Sequence, residues 1–210
     1  MAQRKWLRCG IAVVLVVAAL VVLRAPLLRS LGRMLVAEDP VTPADAIVLT
    51  VDVGPAGVLE AADLVRAGIA IRVAVFGDPL NAVDLEFARR GHKLEQKSAT
   101  WVRMLAHLGI PDAEQIPLTQ TGTQAESEVL PVWCETNGVA SVVVIATPDH
   151  SRRVRRTLRR TMKGHQVRVM VRPTRVATFS PESWWQTRDG QRVGLVELQK
   201  LLVDVVRHPW

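Results

Sequence analysis

The chain has no tyrosine, six tryptophans and three phenylalanines as its only other aromatics among 210 residues, and two cysteines. Each scarcity excludes something. Cys9 lies in an apolar run and Cys134 stands alone in the remainder, so no disulfide can form within the globular part and the redox compartment stays open. Cys134 reads as a buried structural thiol. With so few aromatics to serve as stacking platforms, no nucleic-acid partner is expected. No glycine-rich nucleotide loop is present, and His92, His107, His165 and His208 are scattered without ligand spacing. Neither a metal nor another cofactor is therefore expected.

Acidic residues are missing in two places. Residues 1–33 hold six of the 27 basic residues and none of the 20 acidic ones, which accounts for most of the net charge of +7 and leaves the rest nearly neutral. Arg152 to Lys163 holds seven basic residues and no acid, a basic patch on an otherwise acidic domain.

What is present begins with an apolar run, Cys9 to Leu23, preceded by Arg4, Lys5 and Arg8. As a helix its fifteen residues span about 22 Å, short of the roughly 30 Å hydrocarbon core, so Trp6 and Leu7 extend it and Arg24 snorkels. Ala18 to Leu28 offers no clear small-x-small cleavage site. The expectation is an uncleaved single-pass anchor over residues 6–24 that contacts membrane lipids. Residues 1–33 form this anchor with its juxtamembrane segment, and residues 34–210 form one domain.

In that domain strands and helices alternate. Strands are predicted over Ala44–Val51, Ile71–Phe76, Ser141–Ala146 and Gln166–Val171, with a short extended piece at Gln115–Leu118. Helices are predicted over Val58–Ala67, Val83–Arg90 and Ser98–Leu108, from a capping box at Thr123–Glu126 to about Glu135, through the arginine-rich segment, and over Val193–Arg207. This order predicts a three-layer, Rossmann-like α/β fold with a mostly parallel sheet.

The most informative stretch is Ser141 to Arg160, where a buried strand runs into Thr147-Pro148-Asp149-His150 and then six arginines. The carboxyl end of a parallel strand meeting a helix start is where anions bind in open α/β sheets. Val154, Leu158 and Met162 form the only apolar stripe of the following helix, and Arg153 shares a face with His150. The plainer alternative is an ordinary turn with Asp149 as helix cap and the arginines as a solvated face. For Trp184 and Trp185 the expectation is that Trp185 packs the closing helix onto the sheet while Trp184 covers an edge.

The layout resembles the YdcF, SanA and ElyC-like family of bacterial envelope proteins. The residues that carry the resemblance span about 44–160: Ala44-Asp45-Ala46-Ile47-Val48-Leu49, Ala61 to Leu64 with Ala67-Gly68-Ile69-Ala70, Gly109-Ile110-Pro111, Thr123 with Glu126, and Thr147 with His150 and Arg153. Ser183 to Arg188, then Arg192, Glu197 and Lys200, look like the tail of a membrane-anchored branch. The resemblance implies a role in the cell envelope and places the domain on the extracytoplasmic side of the inner membrane. It makes His150 an acid/base candidate and Thr123, Glu126, Thr147, Asp149 and Arg153 ligand-binding candidates, with Trp185, Arg192 and Glu197 supporting them. Where the family has glycines after its first two strands, this chain has Thr50-Val51-Asp52 and Phe76-Gly77-Asp78, a cradle less welcoming to phosphate. Two function classes stay open. One binds, and in an enzymatic version hydrolyses or transfers, an anionic phosphorylated or lipid-linked envelope precursor. The other is a structural or interaction domain that kept the scaffold and lost the cradle.

Overall fold

The computed structural model describes residues 22–209 except residue 93; most of the expected anchor, residues 6–24, lies outside them. Among the described residues no helix is long and apolar enough to cross a membrane. A first helix, α1, covers residues 22–35. Then follow β1 (Ala46–Leu49), α2 (Gly54–Arg66), β2 (Arg72–Phe76), α3 (Ala82–Arg89), α4 (Lys97–His107), β3 (Glu114–Ile116), α5 (Thr123–Thr136), β4 (Ser141–Ala146), α6 (Ser151–Thr161), β5 (Arg168–Pro173) and α7 (Arg188–Arg207).

The five strands form one sheet in the order β3-β2-β1-β4-β5, every pair parallel. The fold is Rossmann-like α/β, and the sheet is wholly rather than mostly parallel among the described residues. The central strands are apolar on both faces because both are covered. Ile47, Leu49, Val73, Val75, Val143 and Ile145 pack with Val58, Ala61 and Leu64 of α2 and Leu105 of α4. Their alternates, Val48, Ala74, Phe76, Val142 and Val144, pack with Leu130 and Trp133 of α5 and Val154 and Leu158 of α6. Strand order reverses between β1 and β4, the position at whose carboxyl ends open α/β sheets bind ligands.

Several boundaries move for physical reasons. The first strand stops at Leu49, not Val51, because the amide of Val51 turns away to the Glu126 carboxylate at 2.9 Å and Val51–Val53 wind into one 3-10 turn. The last strand shifts from Gln166–Val171 to Arg168–Pro173, in register with all six residues of β4. The last helix starts at Arg188 instead of Val193, since the Thr187 hydroxyl accepts from the Gly190 amide at 3.1 Å and caps a polar first turn.

A third apolar cluster ties α1 to α7. Leu35, Phe179, Trp184 and Leu201 are buried together, with Trp185 half-buried at their edge. The tryptophan roles are thus the reverse of those expected: Trp184 is the core residue. Its Nε1 donates to the Leu28 carbonyl at 2.8 Å, and Gly194 leaves room for its ring, since a Cβ there would sit 2.6 Å from Trp184 Cε3. Helix α1 runs across the boundary at residue 33 and packs on the domain.

Candidate functional site

Three chain segments meet at the carboxyl edge beside the β1/β4 reversal: Thr50–Val53 after β1, Thr147–His150 after β4, and the first turn of α5. His150 is 5% exposed, and its Nδ1 lies 2.8 Å from the Thr147 hydroxyl and 3.6 Å from the Asp149 carboxylate. Nε2 has no hydrogen-bond partner among the described residues. Burial pushes the Asp149 carboxyl up, but the His150 hydrogen bond and charge and the Thr147 hydroxyl outweigh it and hold the group below its ordinary range. Asp149 does not cap α6, as the plainer alternative had it; His150 occupies the cap position and makes no side-chain cap bond.

The capping box expected at Thr123–Glu126 is not formed. Gly122, at φ +113°, occupies the cap position, and both side chains reach elsewhere. The Thr123 hydroxyl accepts from Arg153 Nη1 at 2.6 Å, while Glu126 Oε1 accepts from the Val51 amide. Glu126 is buried, and burial raises its carboxyl above the ordinary range despite that amide and the charges of His150 and Arg153, with Asp52 adding to the rise. Glu126 therefore lies within electrostatic reach of both His150 and Arg153 and ties the end of β1 to α5.

Arg153 is not a free clamp. Its Nε and Nη2 each lie 3.0 Å from Glu197 Oε2, and Glu197 Oε1 also accepts from Lys200 Nζ at 2.6 Å. Of the three tail residues expected to support the site, Glu197 is the one in contact with another candidate, Arg153, among the described residues. Trp185 sits with the third cluster, and Arg192 is exposed without an ion pair among the described residues. Thr123 and Arg153 open on a groove of about 480 Å³ between α5, α6 and α7, shared with Arg160, Lys200, Asp204 and Arg207. His150, Asp149 and Thr147 do not line that groove.

Two further expectations change. Asp78 does not line the cradle: its carboxylate accepts from the Lys97 amide at 3.0 Å and from the Ser98 amide at 2.9 Å and hydroxyl at 2.7 Å, and so caps α4. The arginine helix is not simply a solvated face either. Arg156 and Arg160 hold Asp204 at 2.8 and 2.7 Å, Arg155 pairs with Asp39, and Arg152 donates to the Val36 carbonyl at 2.8 Å. Asp39 and Asp204 are remote in sequence, and helical spacing within α6 carries no signal of them.

The chain matches no family model and no curated protein.

Proposed function

We propose that this is a single-pass, inner-membrane protein of the bacterial envelope whose extracytoplasmic domain binds an anionic, phosphorylated precursor in the crevice at the carboxyl ends of β1 and β4. The observation that carries this reading is the neighbourhood, at the strand-order reversal, of the buried His150 imidazole, the buried Glu126 carboxyl that accepts from the Val51 amide, and the Arg153 guanidinium on the first turn of α6, where open parallel sheets bind ligands. His150 and Glu126 are suited to moving a proton at a leaving oxygen and the Thr147 hydroxyl to meeting a phosphate oxygen, while Arg153, which opens with Thr123 on the neighbouring groove, adds positive charge one helical turn from His150, the complement for phosphoryl hydrolysis or transfer. The resemblance to the YdcF, SanA and ElyC-like family and the apolar run at Cys9–Leu23 support the envelope and the anchor.

One observation favours a second reading, a scaffold without a live site: Arg153 is already compensated by Glu197 and Thr123. His150→Asn separates the two, because the amide can keep the contact to Thr147 while the Nε2 position is lost. In the full-length protein, lost complementation of a deletion strain with an unchanged melting temperature supports the site. Full complementation rules it out. Loss of both together supports the scaffold. Alkaline phosphatase fused after Trp210 is expected to be active; an inactive fusion reverses the orientation.

A further inference from the structure

The arginines of α6 that point away from His150 border a second cavity. It holds about 420 Å³ between α1, α6 and α7, with Arg152, Arg155, Arg156 and Arg159 on one side and Met34 and Val205 on the other. The facing carboxylates are too few. Asp39 pairs with Arg155 and lies 3.9 Å from Arg159, and Asp204 is shared by Arg156 and Arg160. Arg152 has no carboxylate partner among the described residues; its hydrogen bond goes to a backbone carbonyl. The Nε atoms of Arg152 and Arg155 are both buried and donate to nothing among the described residues. Burial, then the charges of Arg155 and Arg156, hold the Arg152 guanidinium below its ordinary range, as befits a cation short of an anion. A purely structural role leaves these orphaned donors unexplained, because buried charged donors are normally satisfied.

The apolar side of the cavity indicates what the anion is attached to. Leu27, Leu31 and Met34 recur at i, i+4 and i+7 on α1 and are 59%, 38% and 52% exposed. They form a stripe about 10 Å long that leads from the cavity toward the amino-terminal end of α1. A free phosphate ion needs no such wall, and a nucleic acid would need stacking aromatics that this surface lacks. We propose that the cavity binds the phosphate of an anionic phospholipid, with Arg152 and Arg155 donating to its oxygens and an acyl chain lying along Leu27, Leu31 and Met34. Guanidinium suits this contact because its planar fork matches two phosphate oxygens at once.

The test uses the full chain in a non-ionic detergent, titrated separately with dioctanoyl phosphatidic acid, dioctanoyl phosphatidylcholine and inorganic phosphate. Phosphatidic acid is expected to bind and to raise the melting temperature, more strongly at low salt. The Arg152→Gln, Arg155→Gln double variant is expected to weaken that binding roughly tenfold or more, the loss of charge-assisted contacts. Because Arg155 also holds Asp39, Arg152→Gln alone is the safer variant; it abandons no carboxylate and gives up one bond to the Val36 carbonyl, so the lipid-free melting temperature is expected to fall only slightly. Partial recovery of affinity in Arg152→Lys supports the contact. Equal affinity for Arg, Lys and Gln at position 152 overturns the proposal. So does an equal response to inorganic phosphate, which would make this a free-ion site, or to phosphatidylcholine, which would make it an apolar groove alone. His150→Asn is expected to leave this binding unchanged, so the two sites stand or fall separately.

Discussion

Replacing Glu197 by alanine is the sharpest test of how the crevice is held together. The carboxylate is 8% exposed and pairs with Arg153, itself 18% exposed, so the substitution strands a largely buried guanidinium. Removing one partner of a buried pair costs about 3–5 kcal/mol, whereas the Lys200 contact, 52% exposed on the lysine side, contributes roughly 0–1 kcal/mol. At roughly 2–4 °C per kcal/mol for a domain of this size, the melting temperature should fall by about 6–20 °C. Thermal unfolding of the full chain at neutral pH, followed by far-ultraviolet circular dichroism, measures it. The double variant Arg153→Met, Glu197→Leu should recover most of the loss, since an apolar pair of similar volume often replaces a buried ion pair without cost. A fall of less than about 1 kcal/mol in Glu197→Ala would refute this reasoning and return Arg153 to the status of an unencumbered anion clamp.

Three more outcomes follow from other sites. Glu126 has its folded-state affinity for protons raised, so its contribution to stability is complete below the ordinary carboxylate range and is lost as pH rises through the folded value; Glu126→Gln, which can keep the Val51 amide contact, should gain stability relative to the native chain over that interval in a melting series against pH, and a flat or opposite difference would contradict it. Gly194→Ala should destabilise by about 1–3 kcal/mol by overpacking the Trp184 ring, seen as a lower melting temperature and an altered near-ultraviolet tryptophan signal, and a neutral effect would show that the ring has slack. Burial, partly opposed by Arg72, pushes the Cys134 thiol up to about 12, so in a Cys9→Ser background it should resist thiol reagents at mildly alkaline pH until denaturant is added; labelling of the native protein would disprove its burial.

The alternation of strands and helices was legible because each is governed by nearest-neighbour chemistry. Val142–Ala146 is apolar throughout, and the stripe Val154, Leu158 and Met162 does face the sheet. What escaped was everything decided across the chain. Thr123 and Glu126 have the spacing of a capping box, yet Arg153 and the Val51 amide offer partners that only the folded sheet brings within reach. Likewise Asp39 and Asp204 neutralise arginines more than forty residues away, and no periodicity in α6 announces them. Trp184 and Trp185 are adjacent and chemically identical, so which one enters the core was settled by the space beside Gly194, a property of α7. Local rules thus reached the elements and the neighbourhood of the site, but not the partners of its charges.

The seating of Trp184 against α1 bears on where the chain can be cut. A fragment starting at residue 34 would take away the Leu28 carbonyl that the indole Nε1 donates to, and with it most of the helix that shelters Phe179 and Leu201. Such a truncation would leave a sticky flank on α7, close to the Glu197 that steadies Arg153. A fragment meant for crystals or assays should instead begin near residue 22, and a protease nicking α1 would loosen the Arg153–Glu197 neighbourhood from a distance, without touching one residue in it.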